Sequence, residues 1–414
     1  MRRIFLSGAA IAALNLASPA AADTVTDWWD TSNRYYNAGQ GAPGPRSPDM
    51  ERASTRATLA MFEAANAIDR RYHSYLGITA SSGPASQDAA VATAAYKVLS
   101  QQYPANKSAL DESYTLTMAG IADTPARAAG VAIGEAAAVA AMTAGGIDPS
   151  IPQPPYRPRT APGAWIGASL PSLESYWLAM KPWAIPSAEA LRPPPPPALY
   201  SERYARDYEE VRRLGGKASK ERTPMQTLIA RYRQAFDITP SVRLATDRAG
   251  RAQVDNARLL MVYQMAFDDA AQAMVAAKIH YDYWRPITAI RNGDEDGNRA
   301  TTADSNWVPL IATPNFQEYP CGHCTVAGAI AEVMENASGW PKGERVRVTS
   351  LINSSSVAQT LPDWNEWAQQ VSDSRMYGGV HYRFSNEAGE EVGRRAARAV
   401  LEKVALPLPG KKRR

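Results

Sequence analysis

The sequence predicts an all-α fold, and three observations carry that expectation. Most long segments place apolar residues at helical rather than alternating spacing. Those segments are rich in Ala and straight-chain helix formers, and two open with Thr-Pro (Thr124-Pro125 and Thr223-Pro224), an N-cap followed by proline at the first helical position. Strand-like alternation is nearly absent. In chain order, residues 58–69 set Leu59, Met61, Phe62, Ala65 and Ile68 near one face, and 89–102, 109–119, 125–143, 202–214 and 224–236 are similar in kind. A long helical region follows over 253–290, then helices over 324–337 and 386–404. Two proline-rich stretches, 152–162 and 193–197, interrupt them. The second reads as a stiff extended connection rather than a PxxP ligand. It divides an N-terminal helical half (23–197) from a C-terminal half (198–405), with a solvated basic tail at 406–414.

Composition narrows the chemistry. The 414 residues include 45 Lys+Arg and 41 Asp+Glu but only four His and two Cys. That excludes a disulfide-built scaffold, a multi-cysteine metal framework and a His-rich centre. A net charge of +4 without a dominant basic stripe makes nucleic acid a poor partner. Residues 1–22 read as an export signal: Arg2 and Arg3, an apolar or small stretch, and Ala20-Ala21-Ala22 before Asp23. Sec export fits this short n-region, and Arg2-Arg3-Ile4-Phe5-Leu6 also resembles a twin-arginine signal. No later run has eighteen uninterrupted apolar residues, and 128–144 carries Glu135, so a periplasmic or secreted protein with no further membrane segment is expected.

The informative residues lie between Lys278 and His381. Lys278 and Arg285 are seven apart, which on a continuous helix puts both on one face among Tyr281, Tyr283, Trp284 and Ile287. Cations in such bulky, largely apolar company need an anionic partner or form a ligand pocket. Tyr319-Pro320-Cys321-Gly322-His323-Cys324 runs into a helix, whose N-terminus favours an anion. Gly322 permits close approach to the backbone, and His323 at the mouth can transfer a proton. In Ser374-Arg375-x5-His381, Gly378 and Gly379 interrupt any helix, so Arg375 and His381 can converge on an oxyanion.

Lys-x6-Arg-Pro, Pro-x-Gly-His and Ser-Arg-x5-His, in this order and spacing, resemble the motifs shared by PAP2-type acid phosphatases and vanadium-dependent haloperoxidases. The wider chain, from about Ser47 to Arg395, is similar to the bacterial haloperoxidase-like branch. The resemblance implies helical bundles with an oxyanion held between helices of the C-terminal half. His381 would be the axial ligand of vanadate in a peroxidase, or the phosphorylated nucleophile in a phosphatase. His323 would be the general acid/base, and Lys278, Arg285, Arg375 and the Gly322 N–H the oxyanion donors. The implied activity is halide oxidation by hydrogen peroxide at a His381-bound vanadate. Its rivals are cofactor-free phosphomonoester hydrolysis and a non-catalytic phosphate- or vanadate-binding protein.

The chain departs from the family pattern at several positions. Cys321 replaces a serine whose hydroxyl would bond the oxyanion, leaving a weaker donor. Ser385 stands four after the last His, where the family has an Asp that orients that histidine. A chloride-oxidising member would carry Trp three residues before the motif lysine. Here that residue is Val275, which points to bromide or iodide, while Phe316 is retained. Asp269, nine before Lys278, is a further candidate to orient a site cation. Cys321 and Cys324 could close a disulfide in an oxidising compartment or act as a redox pair. Of the remaining features, Asp294-x-Asp296-x-Asn298 reads as an acidic turn, His280 as a core or capping residue, His73 as surface, and Trp28-Trp29 as packing.

Overall fold

The computed structural model describes residues 23–39, 48–148, 150–151, 156–167, 175–234, 239–352 and 355–410. The export signal at 1–22, residues 152–155 of the first proline-rich stretch and 411–414 of the basic tail lie outside the described residues. The N-terminal helices are α1 (Thr24–Gly39), α2 (Pro48–Ile68), α3 (Gln87–Gln102), α4 (Lys107–Ala119) and α5 (Pro125–Thr143). Next come α6 (Glu202–Gly215), α7 (Pro224–Tyr232), α8 (Thr239–Thr246), α9 (Gln253–Tyr281) and α10 (Pro286–Arg291). α11 (Gly322–Ala337) leads to a hairpin of β1 (Val346–Ile352) and β2 (Ser355–Leu361), then α12 (Trp364–Tyr377) and α13 (Arg383–Lys403).

Both Thr-Pro starts behave as caps: Thr124 accepts from Arg127 N–H, and Thr223 forms a full capping box with Gln226. The long helix α9 is buried almost all round, as its lack of a polar face requires. It packs on α2 on one side and on α11 and α13 on the other. One apolar core therefore runs from Trp28, Trp29 and Phe62 through Leu260 and Met265 to Val333, Trp367 and Val392. α11 and α13 approach closely because Gly389 and Gly393 lack side chains. A Cβ there would collide with the carbonyl oxygens of Cys321 and Thr325, the first turn of α11.

Three features differ from expectation. The helical region 253–290 is broken: Asp282 turns left-handed (φ 46°), and Arg285 is extended because Pro286 follows it. Lys278 and Arg285 consequently sit on different helices rather than on one face. The fold is helical but not purely so, since residues 346–361 pair antiparallel from Val346↔Leu361 to Ile352↔Ser355. Val346, Val348 and Leu361 are buried and Arg347 exposed, a short period-2 pattern. Helices α1, α8 and α12 also join those expected. Among the described residues, no helix is long and apolar enough to cross a membrane.

Candidate anion site

The ends of α9 and α12 and the starts of α10, α11 and α13 converge on one point. Lys278, in the last turn of α9, is fully buried, and its Nζ donates to the carbonyls of Gln317 (2.9 Å) and Glu318 (2.8 Å). Arg285, the N-cap of α10, donates from Nε to Phe316 O (2.8 Å) and from Nη1 to Val380 O (2.9 Å). The Phe316 ring lies beneath both cations, with Lys278 Nζ at 5.3 Å and the Arg285 guanidinium carbon at 4.9 Å. Arg375, buried in the last turn of α12, is followed by Gly379 at φ +80°, and Val380 N–H closes the turn onto Arg375 O at 3.1 Å. That reversal, open to glycine because a left-handed residue is needed, returns His381 toward the same point.

His381 is 1% exposed, so its ring has no solvent to satisfy it. Its Nδ1 lies 2.8 Å from Glu318 Oε1 and its Nε2 lies 3.0 Å from Arg285 Nη1. Glu318 Oε1 also accepts from Tyr382 N–H at 3.1 Å. His323, second residue of α11, is half-buried, with Nε2 3.2 Å from Gln234 O. A Cβ on Gly322 would touch the Met274 and Lys278 side chains, so the first turn of α11 faces the lysine.

The electrostatics of the cluster are unbalanced. Three cations, Lys278, Arg285 and Arg375, stand around one carboxylate, Glu318. Burial and the two arginines hold Lys278 well below its ordinary pKa. Burial lowers Arg285 to about 10, and burial with Arg285 as neighbour lowers Arg375 to about 9. Burial raises Glu318 to about 7 against the opposing pull of Arg285 and Lys278. Burial and the surrounding cations keep both histidines below their usual value and neutral near pH 7. Arg285 Nη2 and Arg375 Nε are buried with no hydrogen-bond partner among the described residues. Surplus positive charge with unpartnered N–H groups at a helix N-terminus fits a tetrahedral or trigonal-bipyramidal oxyanion such as vanadate or phosphate.

The structure thus brings together Lys278, Arg285, Arg375, Gly322, His323, His381 and Phe316. Other sequence expectations are revised. Cys321 is disulfide-bonded to Cys324, so it has no S–H to donate to an anion; its sulfur instead caps α11, accepting from Cys324 N–H at 3.2 Å. Asp269 orients no site cation. Its oxygens accept from the backbone N–H groups of Trp183 (2.8 Å), Ala184 (2.8 Å) and Ile185 (3.1 Å), far up α9. Ser385 is not the partner of His381; its hydroxyl lies by the Glu318 carboxyl and helps hold that pKa down. His280 is exposed at the end of α9 against Tyr281. Glu318 was not singled out from sequence. The available signal was a single charged residue in the otherwise uncharged stretch 315–324.

Fold and cluster define a helical-bundle protein with a buried cationic cage. Residues 258–409 match the family model of the VCPO second helical-bundle domain. A 90-residue stretch is 30% identical to the vanadium chloroperoxidase of Curvularia inaequalis; it covers 19% of this chain and 14% of that protein. Among solved structures, the first bacterial vanadium-dependent iodoperoxidase aligns with a TM-score of 0.73 at 21% identity, over 94% of this chain and 98% of that one. An apo-type bacterial vanadium-dependent chloroperoxidase aligns at 0.67 and 16%, over 85% and 92% of the two chains. Residues 258–409 thus match the second helical-bundle domain of that family model, and the chain as a whole shares its fold with bacterial vanadium-dependent haloperoxidases.

Proposed function

We propose that this protein is an exported vanadate-dependent haloperoxidase that oxidises bromide or iodide with hydrogen peroxide. The observation that carries the reading is the trio of buried cations beside His381, two of them with unpartnered N–H groups. Vanadate would be held by a bond to His381 Nε2 and by Lys278, Arg285, Arg375 and the Gly322 N–H; when bound it supplies Lewis acidity that activates hydrogen peroxide. The three cations neutralise the anion's oxygens, and Phe316 shields the face of Lys278 and Arg285 from water. His323, neutral near pH 7 and half-buried at the mouth, takes a proton from incoming peroxide and returns it to the departing oxygen. The halide gives an electron pair to one peroxide oxygen and the O–O bond breaks; with one further proton taken up from solvent, halide, hydrogen peroxide and H+ give hypohalous acid and water. Val275 packs against Trp177 and Met180 in an apolar cluster, so α9 offers no indole at this position, in keeping with bromide or iodide rather than chloride.

Phosphomonoester hydrolysis by His381 is the competing reading, because the same cage suits phosphate. The Cys321–Cys324 disulfide supports an oxidising, exported location. Purified protein, with and without orthovanadate, is assayed for bromide and iodide oxidation and for p-nitrophenyl phosphate hydrolysis. Halide oxidation that depends on vanadate is expected. Phosphatase activity inhibited by vanadate, without halide oxidation, would overturn the peroxidase reading. Fractionation of the producing cells checks export.

A further inference from the structure

The geometry points to Glu318 as a positioning residue that locks His381 into one tautomer and makes the cage prefer an oxyanion that bonds to Nε2 over one held by the cations alone. The inference rests on the reading of Lys278, Arg285, Arg375 and His381 as an oxyanion cage.

The tautomer follows by elimination. Arg285 Nη1 approaches His381 Nε2 at 3.0 Å, and a guanidinium has donors but no acceptor. Nε2 must therefore present its lone pair. In a neutral imidazole the proton then resides on Nδ1, which donates to Glu318 Oε1 at 2.8 Å. Because His381 and Glu318 are both buried, water does not compete for either atom. Tyr382 N–H on the same oxygen, at 3.1 Å, fixes the carboxylate in place. The acid arrives from the segment before α11, 63 residues away in sequence, whereas the family places one a turn after the histidine. Ser385, at that family position, sits by the Glu318 carboxyl instead. Glu318 supplies the negative charge that faces the His381 ring.

Two opposed effects follow from placing that charge here. A carboxylate behind a ligating histidine raises electron density at the far nitrogen, and replacing such a partner typically costs about 10–100-fold in metal affinity. The same negative charge, among three cations, weakens every anion held only by charge and hydrogen bonds. Vanadate, which takes a nitrogen ligand, gains from the first effect. Sulfate or inorganic phosphate, resting in the cage without a bond to nitrogen, experiences only the second. Selectivity for vanadate then resides in Glu318 and not in the cations.

The test uses the full exported chain at pH 8, with orthovanadate and sulfate titrated by calorimetry. Nitrogen-15 spectra of the histidine rings are recorded without added vanadate. In the wild type, His381 should show a protonated Nδ1; a protonated Nε2 would overturn the inference without any variant. In Glu318→Gln, the amide oxygen can still accept from Tyr382 and Nδ1, so the tautomer should persist while the charge is lost. Vanadate should then bind about tenfold more weakly and sulfate more tightly. Equal shifts in both anions, or none, would overturn the inference while leaving the cage reading intact. A wild type that binds neither anion would overturn both. If Glu318→Gln fails to fold, the wild-type ring spectrum still decides the tautomer, and Glu318→Asp serves as the second variant. Aspartate keeps the charge, so a preserved preference for vanadate supports the inference and a lost one overturns it.

Discussion

Two buried polar clusters hang from α9, and their charge balance separates them. Near its middle, Asp268 accepts from Thr55 Oγ1 (2.8 Å) and Trp183 Nε1 (2.9 Å) and lies 3.6 Å from Arg52 Nε. Asp269 takes three backbone N–H groups, and Arg56 adds a second cation, so two acids face two bases. At the C-terminal end, three cations face one carboxylate, and two guanidinium N–H groups have no partner among the described residues. Both clusters are buried, and both shift pKa values. Burial of charge alone therefore marks neither as functional. The uncompensated charge does: the first cluster balances two acids with two bases, while the second carries a positive surplus that an anion would complete.

That contrast can be broken most sharply at His381. His381→Ala should reduce vanadate-dependent turnover by more than about 10,000-fold with the fold retained, as read from initial rates and circular dichroism. Unchanged turnover would show that chemistry occurs elsewhere. In the balanced cluster, Asp268→Ala leaves Arg52 buried beside a lost partner and should cost about 3–5 kcal/mol in chemical denaturation. Its vanadate affinity, measured on the folded fraction, should stay near the wild-type value. Arg375→Met is the converse: turnover should fall about 100-fold while the melting temperature holds or rises, because a surplus cation has been removed. A large drop in melting temperature would place Arg375 with the structural charges.

Smaller effects sharpen the same comparison. Burial puts the Glu318 pKa at about 7, above the ordinary carboxylate value. Below that pH the acid is neutral and the cage carries its full positive charge; above it, one charge is cancelled. Sulfate, whose own charge is constant there, should bind about tenfold more tightly at pH 6 than at pH 8, and Glu318→Gln should flatten that profile. The smallest change expected is in the double variant Cys321→Ser with Cys324→Ala. It loses about 2 kcal/mol from a short disulfide loop but regains a hydroxyl donor. Anion affinity should rise by about 1 kcal/mol in calorimetry.

The cage was legible because its parts are scarce residue types at local spacings: Lys278 to Arg285, Gly322-His323, and Arg375 to His381. Glu318 was not, since its partner lies 63 residues away and no periodicity links them. Lys278 and Arg285 illustrate the opposite error. Their spacing suggested one helix face, but Pro286 prevents Arg285 from being helical, and the two converge from separate helices. Helices 125–143 and 202–214 were placed nearly to the residue: Thr124-Pro125 announces the first, and in the structure Ser201 caps the second. The hairpin at 346–361 was not legible because, among its described side chains, Val346, Val348 and Leu361 are the buried apolar anchors, too short a pattern to compete with the helical background.

The arrangement on α9 also constrains how this chain can drift. Asp269 and Lys278 are nine residues apart on one unbroken helix, about 13.5 Å along its axis. Replacing a residue between them changes a contact. Inserting or deleting one turns the whole C-terminal portion by about 100° relative to the part anchored on Trp183. Lys278 would swing away from the carbonyls of Gln317 and Glu318 even with every side chain intact. Between these two positions the helix behaves as a ruler, open to substitution and closed to changes of length.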